Sequence, residues 1–178
     1  MYVDNELKEE LKALFEQGQK YQYGKDGVEE DDAKSFEYYL QAAECDYGPA
    51  MLSVADAYRY GRGVQENLAK AFAWYERAAD NYDDIKSCLE AKVEVGKCLE
   101  YGHGVERNLE NAFESYLDAS EYGCCIAEYH VGRCYHFGIG VEQSLKNAYE
   151  FYELALENGY EPAKQRIKEL KKRGFKQE

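Results

Sequence analysis

The chain has 178 residues, with 35 acidic against 22 basic side chains and a formal net charge of −13. That length suffices for one domain with its own core, while the acidic balance argues against direct nucleic-acid binding, which needs a basic face to neutralise phosphates. No stretch reaches the roughly 18–20 consecutive apolar residues of a membrane span.

The charge is uneven: residues 161–178 carry +4 and the remainder −17, so a solvated acidic exterior or a basic partner is the natural complement. Tyrosine occurs 18 times, against one tryptophan and two prolines. The first segment, "MYVDNELKEELKAL", reads as an acidic amphipathic helix without the basic and apolar regions of a secretory leader. A cytoplasmic location is therefore expected, although a chain trimmed of a leader would read the same.

Next along the chain comes "YGKDGV", ending at Val28, and its variants follow as "YGRGV" at Val64, "YGHGV" at Val105 and "FGIGV" at Val141. The valines are 36, 41 and 36 residues apart, a period typical of stacked helical units. Counted from each valine, the same chemistry recurs. Three residues on stand the N-cap residues Asp31, Asn67, Asn108 and Ser144. Eight on stand Phe36, Phe72, Phe113 and Tyr149; eleven on, Tyr39, Tyr75, Tyr116 and Tyr152; fourteen on, Ala42, Ala78, Ala119 and Ala155. This spacing is one face of a helix, with large rings alternating with small residues.

Before each valine lies a second helical pattern, with Ala55, Gly96 and Gly132 nine residues ahead and Tyr58, Leu99 and Tyr135 six ahead. The first copy fits if its loop holds one extra residue, which puts Gly18 and Tyr21 in those roles. Each unit is a helix, a Gly-x-Gly-Val turn and a capped helix. The five additional residues between the second and third copies are assigned to a polar connector, "NYDDIKS". The segment 161–174 reads as a capping helix that begins at Pro162 and stops at Gly174.

The Leu/Val-Gly pair, the tyrosine, the "YGxGV" turn and "KAFAWYERAA", with its variants "NAFESYLDAS" and "NAYEFYELAL", resemble the Sel-1-like repeat family, relatives of the tetratricopeptide repeats. The resemblance implies an all-α fold: a right-handed α/α superhelical solenoid of about four helix-turn-helix repeats, roughly 6–47, 48–84, 85–123 and 124–160, with the capping helix, as a single domain over 1–178. It implies an adaptor that binds a protein or peptide, without naming the partner. Four repeats suffice for a stable array, so a monomer is expected.

Several sharper readings are set aside. Gly102-His103-Gly104 lacks the third glycine of a dinucleotide loop and the Gly-Lys-Ser/Thr of a phosphate loop, and Arg62 and Ile139 replace His103 in other copies. Tyr101 is expected to pack at the end of its helix. His130 and Cys134 have a zinc-compatible spacing, but Glu94 and Cys98 stand at the same register one repeat earlier, on a helix that runs alongside, so no metal is expected. Cys88 and Cys98, like Cys124 and Cys134, are ten residues apart, about 15 Å along a helix, too far for a disulfide. Cysteine-rich relatives of the family have been discussed as acting on penicillin-like compounds, but no serine here is followed three residues on by lysine. Neither an enzyme nor a cofactor is expected; such a hydrolase, or a metal-binding regulatory module, is the alternative.

By the resemblance, the first helix of each repeat lines a concave groove at twelve, eight and five residues before the valine, each one residue further ahead in the shifted first repeat. The candidates are Phe15, Gln19 and Gln22; Leu52, Asp56 and Arg59; Val93, Lys97 and Glu100; and Tyr129, Arg133 and His136. They combine an apolar row with a mixed-charge row whose formal sum is +1. A peptide with apolar anchors and at least one carboxylate is the expected ligand, and solvated or packing residues are the alternative reading of the same positions.

Overall fold

The structure is a computed structural model that describes residues 5–172, and among these it has nine helices and no strand. The chain gathers into two compact units: residues up to Ala91 with His103–Val105, and Lys92–Gly102 with the residues from Glu106 onward. The first unit holds α1 (Asn5–Tyr23), α2 (Asp32–Glu44), α3 (Gly48–Tyr60), α4 (Leu68–Ala79) and the start of α5 (Ile85–Tyr101). The second holds the rest of α5, α6 (Leu109–Glu121), α7 (Cys125–Phe137), α8 (Leu145–Glu157) and α9 (Ala163–Lys172).

The four expected N-caps all form. Asp31, Asn67, Asn108 and Ser144 each accept from the backbone N–H three residues on, at 3.0, 2.9, 3.0 and 3.2 Å, which satisfies one of the free donors at each helix start. The N–H of each cap residue returns to the first helix of its repeat. Asn67, Asn108 and Ser144 donate to the carbonyls of Tyr58, Leu99 and Tyr135, and Asp31 donates to Tyr21 at 3.0 Å. Tyr21 therefore holds the position that the one-residue shift assigned to it.

The turns explain their two glycines. Gly61 and Gly138 end α3 and α7 in the left-handed conformation, at φ 66° and 68°. The second glycine matters for a different reason. A Cβ on Gly63 would lie 2.0 Å from the Asp32 carbonyl oxygen, and one on Gly140 1.9 Å from that of Leu109. In each unit this turn seats its backbone on the first turn of the preceding repeat's second helix. Gly27, with no repeat before it, has open space around its Cβ direction.

The repeated tyrosines form the core. Tyr75, Tyr116 and Tyr152 are fully enclosed, with Ala42, Ala78, Ala119 and Ala155 beside the same seams, and Gly18 and Gly132 leave room for the rings of Tyr39 and Tyr152. α9 buries Ile167 and Leu170 against Tyr149, Tyr152 and Ala155, closing the last repeat with a charged outer face. Residues 173–174 of the expected capping helix lie outside the described residues.

Two local expectations are corrected. Only Asn81–Asp84 of "NYDDIKS" is connector; Ile85 begins a helix of 17 residues where α3 and α7 have 13, because Asp84 caps it through Ser87. Tyr101 is not packed away: it is 56% exposed, as are Tyr23, Tyr60 and Phe137 at the same register to a similar degree. Its position falls where the helix ends and the turn bends the chain away. No helix among the described residues is long and apolar enough to cross a membrane.

Candidate partner-binding face

The twelve groove candidates separate by row. The row twelve before the valine packs inward. Phe15 lies on Tyr39 and Tyr47 at ring distances of 5.2 and 5.7 Å, and Tyr129 lies on Tyr152 and Tyr160 at 5.6 and 5.1 Å. Val93 is 3% exposed and Leu52 half-buried. Phe15 and Tyr129 thus pack on the second-helix tyrosine of their own repeat and on the ring that follows that helix, and Val93 is buried, so the row is packing more than partner surface.

Four residues of the other two rows serve the buried tyrosines, whose hydroxyls need partners once enclosed. Tyr39 donates to Gln22 at 2.7 Å and Tyr116 to Glu100 at 3.1 Å, while the Tyr152 hydroxyl lies 3.4 Å from His136 Nδ1. Glu100 and His136 stand five before the valine, and Gln22 six before it in the first repeat, whose loop is one residue longer. In the second repeat that position is Arg59, which cannot accept, and Tyr75 donates instead to Asp56, eight before the valine. Burial pushes the Tyr39 hydroxyl up to about 12, and burial raises Tyr116 and Tyr152 further, so all three hydroxyls remain neutral. The tyrosine eleven after every valine was the available signal that these rows have internal work.

In the second unit the face is closed. Glu100 and His136 are 4% and 2% exposed, which corrects their assignment as open groove residues. Arg133 reaches from its own repeat to Glu100 of the preceding one, and it also donates to the exposed Tyr101 hydroxyl at 3.4 Å. Burial alone would raise the Glu100 carboxyl, but the hydrogen bonds and charge of Arg133 outweigh it and hold it below the usual range. His130 stacks on Tyr116 at 4.6 Å and fills the space beside the pair. Burial, with Arg133 and Lys97 nearby, lowers His130 to about 4. Lys97 is turned to Glu94 at 2.6 Å, so it does not stand ready for a partner's carboxylate. His130 and Cys134 gather no further ligands: among the described residues no group of three His, Cys, Asp or Glu is placed to hold a metal.

In the first unit the same register is open. A cavity of about 180 Å³ lies between α1, α2 and α3, lined by Gln19, Gln22, Tyr23, Asp32, Asp56 and Arg62 among others. Three of the groove candidates, Gln19, Gln22 and Asp56, thus meet in one hollow. Sequence reasoning missed Asp32, Tyr23 and Arg62. Arg62, in the middle of the turn, lies over the Tyr60 ring at 5.3 Å and 3.9 Å from Asp56. Arg59 covers the same ring at 5.3 Å. A larger recess of about 600 Å³ in this unit is walled by the loops before α3 and α5, but its Asp46 is held by Arg77 at 2.7 Å and its Asp84 caps α5, and none of the twelve candidates lines it.

The model of the Sel1 repeat matches residues 12–47, 48–83, 89–116 and 125–160. Among solved structures, a Sel1 repeat protein from Oxalobacter formigenes superposes with a TM-score of 0.81 at 24% identity, over 90% of this chain and 63% of that one. The protective antigen c5321 of uropathogenic Escherichia coli, which displays an SLR fold, gives 0.80 at 29% identity over 92% of this chain and 34% of its own. The chitin synthase regulator SKT5 of Saccharomyces cerevisiae is 34% identical over 55 residues, 31% of this chain and 8% of that protein. The chain thus spans less than two thirds of each of these relatives.

Proposed function

The chain belongs to the Sel1 repeat family, and from that premise we propose that it is a non-catalytic scaffold that binds a protein or peptide partner, with the Gln19–Gln22–Asp56 cavity of the first unit as the anchor point. Sel1 repeats are generally protein-interaction scaffolds. The single observation that carries the reading is that three candidates from two repeats line one open hollow, whereas two of their counterparts in the second unit, Glu100 and Arg133, are spent on an internal ion pair and the third, Lys97, pairs with Glu94. A hollow of about 180 Å³ is below the roughly 300–1,000 Å³ of small-molecule sites and suits one side chain of a longer ligand. The exposed rings of Tyr23 and Tyr60 offer flanking contact area of the kind that dominates interface energetics.

Affinity capture from the source cells tests this, comparing the native chain with Gln19→Trp, which fills the hollow, and with Glu114→Trp, an exposed change on α6. Loss of the captured partner with the first variant alone is the expected result. Equal capture by all three would overturn the assignment.

A further inference from the structure

The two units carry one architecture at one register, so the second unit shows what fills the slot that the first leaves open. Counted from the valine, with the extra residue of the first loop allowed for, Gln22 of the first unit corresponds to Glu100 of the second, Asp56 to Arg133 and Ser53 to His130. In the second unit the slot holds a guanidinium. Arg133 bonds Glu100, Tyr116 donates to the same carboxylate, and the His130 ring closes the side.

In the first unit the same two positions are both acceptors. Gln22 Oε1 takes the Tyr39 hydroxyl and Asp56 takes that of Tyr75. Neither can supply a cation to the other, and Ser53 is too small to occupy the place of His130. The space taken by an arginine and a histidine in one unit is a cavity in the other. Its wall is net negative, with Asp32 and Asp56 against Arg62. At its mouth a guanidinium already sits between a ring and a carboxylate: Arg62 lies over Tyr60 at 5.3 Å and 3.9 Å from Asp56 Oδ2. Both members of that pair are 42% exposed, so the contact is weak and open to exchange.

Resting on the reading that this cavity anchors a partner, we infer that the side chain it receives is an arginine, donating to Asp56 and Gln22 as Arg133 donates to Glu100, with Arg62 as the intramolecular stand-in that the partner displaces. Planar guanidinium donors suit paired acceptors better than the compact ammonium of lysine. The partner segment is therefore a basic one, and Arg62 in the cavity wall does not make it a carboxylate site. Lys97 and Arg133, the cations that a carboxylate-bearing peptide would need, are bound to Glu94 and Glu100.

The test uses the full chain, ¹⁵N-labelled, titrated with N-acetyl-argininamide, with its neutral isostere N-acetyl-citrullinamide and with N-acetyl-glutamic acid amide, read by amide chemical shifts. Saturable shifts at Gln19, Gln22 and Asp56 with the arginine probe are expected, together with at least about tenfold weaker binding of the citrulline probe, because a charged donor is lost. Asp56→Asn, which keeps an acceptor for Tyr75, should weaken the arginine probe to a similar degree. Arg62→Ala should tighten it by up to about fivefold, as removal of a weak exposed competitor allows. Preference for the glutamate probe, equal binding of arginine and citrulline, or weakening by Arg62→Ala would each overturn the inference. The capture experiment with Gln19→Trp is independent of the probes: loss of the partner there, beside a failed arginine titration, would leave the cavity reading standing and remove only the arginine.

Discussion

Between Glu100 and Arg133 the second unit carries a buried ion pair; between Gln22 and Asp56, the same two positions of the first, there is a cavity. The helices, turns and caps around the two sites follow one pattern, so the contrast comes from side chains on a shared scaffold: Gln22, Ser53 and Asp56 against Glu100, His130 and Arg133, with Asp32 and Arg62 where the second unit has Leu109 and Ile139. Internal duplication supplies its own control: one copy shows the closed arrangement of a slot and the other shows it open. The comparison teaches that openness in a repeat array is decided residue by residue at the contact of successive repeats, whereas stability is held by what the repeats share.

The largest effect should come from breaking the closed slot. The side chains of Glu100 and Arg133 are 5% and 16% exposed, and removing one partner of a buried pair leaves an uncompensated charge. Arg133→Ala should therefore cost about 3–5 kcal/mol, against less than about 1 kcal/mol for Arg62→Ala, whose ion pair is half in solvent. Urea denaturation of the two variants measures both. Equal losses would erase the distinction between the units.

Much of the account was legible in the residues. The valine period, the caps three residues on and the tyrosines eleven on placed the helices, and the shifted first loop emerged where Gly18 and Tyr21 required it. The groove was legible as a set of positions but not as a surface. Whether Glu100 faces a partner or an arginine depends on a contact 33 residues away, between the last turn of one first helix and the middle of the next, and a register counted within each repeat does not contain that offset. Val93 and Phe15 misled for a simpler reason: an apolar side chain on a groove row and one in a seam look the same until the ring it touches, such as Tyr39 or Tyr47, is placed. Arg62 escaped notice because its position varies between repeats, and variation at a turn reads as indifference when it is the place where this copy differs.

An intermediate effect is expected from acid, through His130 of the second unit. His130 is held near 4, below its ordinary range of about 6.5. Above pH 6.5 it is neutral in both folded and unfolded chains. As pH falls toward 4 the unfolded chain takes up the proton first, so stability is lost by up to about 1.4 kcal/mol per pH unit. Glu128, raised by burial, acts in the opposite direction, since its folded form gains a proton earlier. The difference between the native chain and His130→Phe, which keeps the stack on Tyr116, isolates the histidine: the variant's stability should be flatter between pH 6.5 and 4. A parallel pair of curves would contradict the assignment.

The smallest effect should be the same in both units. Asn67→Ala and Asn108→Ala remove caps of equal geometry, at 2.9 and 3.0 Å, and each should cost about 1 kcal/mol. Thermal or urea unfolding would show it, and a marked inequality would mean that the scaffold itself, and not only its face, differs between the units.

The most direct measurement transplants the closed slot. Gln22→Glu, Ser53→His and Asp56→Arg, with Arg59→His to keep an acceptor for Tyr75, write the fourth-repeat and third-repeat residues into the first unit. Partner capture and the arginine titration are then repeated on this full-length variant, with circular dichroism to verify its helices. A helical variant that no longer binds either is the result expected if the open slot is the binding site. A helical variant that binds both as the native chain does would contradict it.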